Sequence, residues 1–421
     1  MKPNKVILKN KLRVITAPLP VKSSTALILV KVGSRNETKK YNGIAHFAEH
    51  MFFKGTKKRP TALDISSLID GIGGEFNAFT SKEFTGFYIK SAAAHLNLAL
   101  DVLSDMLLNA LVKKEEVERE RNVVLEERRM YLDTPMRYIS EVFESLLYGD
   151  HPLGWDTVGT EKSLQNITRE SFLEYMNTYY HPNNMLVVVS GEVKQGKTEL
   201  LVDEYLGGIK PREIPSFLPA KYNQAKPAVK LFYKDTEQAH MCLGVRSYQT
   251  GHPDRYVVSL IHTILGANMS SRLFIELRER RGLAYYVRSG VEEYLDTGAF
   301  AAQAGVHQKK IEDSIQVILS EFKKLAEEEI SEVELKKAKE YLKGRLILDL
   351  EDSREVATLF GLQELLEHKT RTPEEIFKNI DKVTRKDILR VSKDLFKNES
   401  LNLAIIGPYK KEGRFLNLLN F

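Results

Sequence analysis

Residues 43–53 read Gly-Ile-Ala-His-Phe-Ala-Glu-His-Met-Phe-Phe, which sets His46, Glu49 and His50 in the order His-x-x-Glu-His. On a helix, residues four apart lie one turn apart on one face, so His46 and His50 can bring two imidazoles to one metal ion. Glu49 falls beside that face, where its carboxylate can reach a water on the metal without ligating. The order inverts the more familiar His-Glu-x-x-His arrangement. Histidine donors suit zinc better than magnesium or calcium, which take oxygen shells. A single histidine among these apolar neighbours would read as a core residue; two at ligand spacing with a carboxylate between them read as a metal site.

A catalytic zinc needs a third protein ligand and one open position. The predicted helix that includes residues 116–127 is rich in carboxylates, most of which fit a solvated charged face. Glu120 and Glu127 are seven apart and share a face, whereas Glu126 points about 100° away from Glu127. Glu127 can therefore ligate while Glu120 supports His50 or His46 from behind. Glu126 is assigned to the solvent.

These residues must be positioned by a larger frame. The chain has 421 residues and 48.1 kDa, too much for one ordinary core and enough for two. Residues 207–227 hold prolines at 211, 215, 219 and 227, which read as an extended linker. The flanks repeat: Ile167–Gly191 aligns with Val383–Gly407 at a constant offset of 216, each with a Thr-Arg helix start, a polar turn and a β-rich run ending in Gly. The same offset places Lys336 and Lys343 opposite Glu120 and Glu127, so the second copy lacks the chemistry. The expected organisation is a catalytic domain at 1–210, a linker at 211–227 and a homologous domain without zinc at 228–421. Strands at 26–32 and 86–90 alternate with helices at 94–110, 114–131 and 168–180. This predicts an α+β fold of two homologous sandwiches, each a mainly antiparallel sheet with helices on one face.

The balance of 62 basic against 57 acidic side chains is too even to point to nucleic acid. The lone Cys242 excludes a disulfide framework and reads as a buried thiol. No apolar run approaches the roughly 20 residues of a membrane span, and the first residues lead into a strand rather than a secretory leader. A cytoplasmic location without membrane attachment is expected.

Four segments in order, HFAEHMFFKGT, GGEFNAFTSKEFTGFY (73–88), ERNVVLEERRM (120–130) and SRLFIELRERRGLAYYV (271–287), resemble the inverzincin peptidases of family M16. That family includes pitrilysin, insulin-degrading enzyme and the mitochondrial processing peptidase. The similarity runs over essentially the whole chain, and the length matches the half-size bacterial branch. The resemblance implies His46, His50 and Glu127 as ligands of one zinc per chain, Glu49 as general base and Glu120 as an assisting acid. It implies Asn77 and Ala78, with Phe79 beside them, as the sheet edge that pairs with a substrate backbone. Arg278 and Tyr285 are spaced like the family's pair that stabilises the oxyanion, although an arginine-rich stretch and a core tyrosine would look alike. Residues 266–274 resemble the glycine-rich loop of one processing-peptidase subunit but carry a single glycine, which weakens a role in presequence recognition.

The implied activity is a zinc metalloendopeptidase that encloses extended peptides or unfolded segments between two subunits. The implied assembly is a dimer in which Arg278 and Tyr285 of one subunit complete the zinc site of the other, a homodimer first and a heterodimer with a zinc-less paralogue as the other arrangement. The alternatives are a non-catalytic subunit of the same fold and a peptide-binding module that holds zinc structurally.

Overall fold

The computed structural model describes residues 2–421. Among them, two sheets are built from β1 (Asn4–Ile7), β2 (Arg13–Pro18), β3 (Ser23–Val30), β4 (Glu75–Thr80), β5 (Thr85–Ala92) and β6 (Met185–Gly191), then β7 (Ala228–Tyr233), β8 (Gln238–Ser247), β9 (Ala284–Glu293), β10 (Gly298–His307) and β11 (Asn402–Gly407). The first sheet runs β1-β2-β6-β3-β5-β4 and the second β7-β11-β8-β10-β9. Apart from the extra edge strand β1, the two orders are the same. Each sheet has one parallel pair, β2 with β6 and β7 with β11, and is otherwise antiparallel. The repeat read at an offset of 216 is therefore a repeat of topology, and the helices Arg169–Tyr179 and Arg385–Leu395 keep that offset at both ends. The fold is α+β with two related sheets.

The first five α-helices are α1 (Ile44–Phe52), α2 (Ala62–Asp70), α3 (Leu96–Asn109), α4 (Lys114–Leu132) and α5 (Pro135–Tyr148). The two compact units do not follow the two halves of the sequence. The first runs through Arg129 and adds Asp156–Leu218 and Ile347–Pro373; the second takes 130–155, Pro219–Leu346 and Glu374–Phe421. The helix Ser353–Glu367 buries Val356, Ala357, Phe360 and Leu365 against Ile15, Leu27, Leu29, Leu186 and Val188 of the first sheet. Likewise α5 buries Ile139, Val142, Phe143 and Leu147 with Cys242, Ala404 and Ile406 of the second. The expected domain limits are thus crossed by one helix in each direction. The reason lies in the central strands: every residue of β6 and of β11 is buried. A strand buried at every position has two faces to cover, and helices from one side cover only one. Gly361 lets the crossing helix approach closely, since a Cβ there would lie 2.6 Å from Leu29 Cδ1.

No helix or strand lies between Leu206 and Ala228, where the prolines fall. Among the described residues no helix is long and apolar enough to cross a membrane. Cys242 is buried on β8, and burial pushes its thiol well above the usual range.

Candidate metal centre

Helix α1 buries Ile44, Ala45, Phe47, Ala48, Met51 and Phe52. That leaves His46, Glu49 and His50 on the remaining strip, half-buried. The helix starts at Gly43, whose φ of 95° suits glycine, and a Cβ there would meet the Val158 carbonyl oxygen at 2.5 Å. Two backbone amides at this start are satisfied by a residue outside the helix. Glu37 Oε2 accepts from the Gly43 amide at 2.8 Å and from Asn42 Nδ2 at 2.9 Å, and Oε1 accepts from the Ala45 amide at 2.8 Å. Burial pushes the Glu37 carboxyl up to about 7, although these hydrogen bonds favour its charged form.

Helix α4 presents Val117, Glu120, Val124 and Glu127 on one stripe. Val117, Glu120 and Val124 are buried, and Glu127 is half-buried. It is tied down by Arg121, which donates to the Leu164 and Ile167 carbonyls, and by Arg128, which donates to the Gly159 carbonyl at 2.9 Å. Glu126 is exposed and pairs with Arg129, as its angular position required.

The two helices bring three ligand atoms together. His46 Nε2 lies 3.6 Å and His50 Nε2 3.4 Å from Glu127 Oε2, and among the described residues these three form the one group able to hold a metal ion. Bonds of about 2.0–2.1 Å in a tetrahedron put neighbouring ligand atoms about 3.4 Å apart. The observed separations match that edge, so the residues fit zinc with one position left over. The other ring nitrogen of His50, Nδ1, is 2.9 Å from Glu120 Oε1, which fixes the tautomer that leaves Nε2 for a metal. Glu120 Oε2 in turn meets Lys54 Nζ at 2.5 Å. His46 Nδ1 is buried without a hydrogen-bond partner.

The charges show how tightly this group is coupled. Burial alone would lower the His50 pKa, but hydrogen bonds and the charges of Glu120 and Glu127 outweigh it and push it up to about 9. Hydrogen bonds to His46 and His50 hold the Glu127 carboxyl well below the usual range. Glu49 does not enter this group. Its Oε2 accepts from Thr80 Oγ1 at 2.5 Å.

Strand β4 forms the edge of the first sheet. Asn77 is exposed on it, Ala78 and Phe79 are half-buried, and the Ala78 amide is satisfied by Asn77 Oδ1 at 2.9 Å rather than by β5. Phe79 turns to the opposite face and packs over Gly86. Arg278 and Tyr285 belong to the second unit. Arg280 and Arg281 both pair with Glu276, while Arg278 is exposed with its guanidinium 5.0 Å from the Phe274 ring centroid. Tyr285 is 74% exposed and so is no core residue; Tyr286 is the half-buried one, bonded to His240 and Gln303. Sequence reasoning missed Glu37, Lys54 and Thr80. Lys54 had a signal, lying four residues after His50; Glu37 and Thr80 are brought in by loop and sheet geometry.

Residues 13–161 match the family model described as insulinase, peptidase family M16, and residues 166–342 match that of the peptidase M16 inactive domain. An uncharacterized zinc protease of Mycobacterium leprae is 39% identical over 402 residues, covering 94% of this chain and 90% of its own length. This chain belongs to peptidase family M16. The uncharacterized zinc protease YmxG of Bacillus subtilis is 35% identical over 407 residues, covering 95% and 97% of the two chains. Among solved structures, a protease from Helicobacter pylori superposes with a TM-score of 0.91 at 29% identity, over 97% of this chain and 99% of that one. A chain of Complex III2 from Candida albicans shares the fold, with a TM-score of 0.85 at 20% identity over 99% and 100%. Both bacterial relatives bear the name zinc protease, and this M16 chain holds a His-His-Glu cluster in its first unit.

Proposed function

We propose that this M16 protein is a zinc-dependent endopeptidase that cuts peptides or unfolded segments laid as an added strand along the outer edge of β4. The observation that carries the reading is the triangle of His46 Nε2, His50 Nε2 and Glu127 Oε2, with Glu49 next to it yet bonded elsewhere. One zinc per chain would be held by these three side chains. When bound there, zinc supplies Lewis acidity that lowers the pKa of a water and polarises a carbonyl. Glu49 takes the proton of the attacking water and returns it to the leaving amine. Glu120 keeps His50 in the ligating tautomer.

Substrate placement follows from the open edge. The Ala78 amide, turned to its own neighbour's side chain, is a donor that an incoming strand can use, and main-chain pairing along Asn77, Ala78 and Phe79 gives affinity with little demand on sequence. Arg278 and Tyr285, exposed and without a carboxylate or core role, supply donors for the oxyanion of a partner subunit's site in a homodimer that encloses the peptide. Three protein ligands among the described residues suit catalysis better than a structural site, which takes four.

The test is cleavage of an unstructured peptide library by wild type and Glu49→Gln, with zinc measured on both. Cleavage by wild type alone, at equal zinc content, is the expected result. Equal zinc with no cleavage by either overturns the reading in favour of a binding module or a non-catalytic subunit.

A further inference from the structure

We propose that Thr80 is a positioning residue for Glu49, holding its carboxylate away from the metal and in register with the strand that receives the substrate. The inference rests on the reading of Glu49 as the general base. Its geometric basis is the 2.5 Å contact from Thr80 Oγ1 to Glu49 Oε2, in which the hydroxyl is the donor because an ionised carboxylate has no proton to give.

A base in this position faces a particular difficulty. Glu49 sits between the ligands His46 and His50 on one short helix. Its own terminal torsion is soft, since the last torsion of a glutamate has no deep wells. An unrestrained carboxylate beside a three-ligand zinc has a competing place to go, the open fourth position that catalysis needs. The ligands are fixed by chelation and, for His50, by Glu120. Glu49 has neither restraint. Thr80 provides one: a bond to Oε2 leaves Oε1 as the oxygen that faces a proton.

Thr80 is well placed to do this. It pairs with Thr85 at the closed end of the β4–β5 hairpin, where the Ser81 amide also bonds the Phe84 carbonyl. Its branched Cβ restricts χ1, so the hydroxyl direction follows the backbone. In a strand, residues 76, 78 and 80 share a face. That face packs on α1 and the residue after it, through Thr80 on Glu49 and Phe76 on Phe53, whose rings lie 5.8 Å apart. The strand whose free edge takes the substrate backbone therefore also carries the hydroxyl that sets the base. A shift of β4 would move both together, and their spacing would be kept.

The experiment compares Thr80→Val, which keeps the shape and removes the hydroxyl, with Thr80→Ser, which keeps the hydroxyl. Steady-state cleavage of one unstructured peptide is measured along with zinc per chain. Affinity for the same peptide is read by fluorescence anisotropy in the Glu49→Gln background, with and without Thr80→Val. The expected result is a kcat lower by about 10- to 100-fold in Thr80→Val, the scale of a misplaced catalytic group. KM, zinc content and peptide affinity should be unchanged, and Thr80→Ser should restore kcat to within about threefold of wild type. An active wild type with an unimpaired valine variant overturns the role of Thr80 and leaves the peptidase reading intact. A serine variant as impaired as valine, or zinc or peptide affinity lost in the valine variant, assigns Thr80 a merely structural part and also overturns it. A zinc-loaded wild type that cleaves nothing overturns both.

Discussion

His50 and Glu120 meet through Nδ1 and Oε1 at 2.9 Å, so that in the proposed zinc site Glu120 would decide which ring nitrogen of His50 faces the metal. Removing that partner leaves the imidazole free to rotate and to take the other tautomer. Glu120→Ala is expected to lower zinc affinity by about 10- to 100-fold, measured by competition with a chromophoric chelator. His46, whose Nδ1 has no such partner, gives no equivalent site for this effect.

Zinc binding should release a proton. In the metal-free protein Glu120 and Glu127 hold His50 up to about 9, and a metal takes only the neutral imidazole. Apparent zinc affinity is then expected to rise about tenfold per pH unit from pH 7 toward 9 and to flatten above it, as read by chelator competition across that range. The linkage to folding has the opposite sign in the metal-free chain. The raised pKa of His50 contributes stability fully present below its ordinary value of 6.5 and lost as pH rises through about 9. The depressed Glu127 contributes above its ordinary 4.5 and loses it as pH falls.

If two subunits share each site, two inactive variants should repair one another. Arg278→Ala keeps an intact zinc centre and Glu49→Gln keeps an intact Arg278 and Tyr285. Mixing the two after dissociation and reassociation should recover roughly a quarter of wild-type activity, because half the dimers are mixed and each has one whole site. A mixture as inactive as its parts would mean that each chain works with its own Arg278.

The crossing helix makes the first unit depend on the second half of the sequence. Phe360 is fully buried against Ile15, Leu27 and Val188 of the first sheet. Phe360→Ala should cost about 3–5 kcal/mol of the unfolding free energy, measured by denaturant titration. The loss should appear as faster amide exchange in β2, β3 and β6 rather than in β8 and β11, whose second face is covered by α5.

The sequence by itself determined what is local or periodic. Spacing of four placed His46 and His50 on one face, spacing of seven set Glu120 and Glu127 together and put Glu126 in solvent, and the offset of 216 revealed two copies of one fold. Helix period and chain order are short-range properties, legible without contacts. Only tertiary structure decided what depends on packing between distant segments. It capped α1 with Glu37, put Lys54 behind Glu120 and Thr80 against Glu49, and sent Ser353–Glu367 and α5 to the units opposite their places in the sequence. The mostly apolar runs of β6 and β11 announced that both faces needed cover. Burial is non-directional, so any amphipathic helix satisfies that demand, and which one does so is settled by shape, as where Gly361 admits the helix against Leu29.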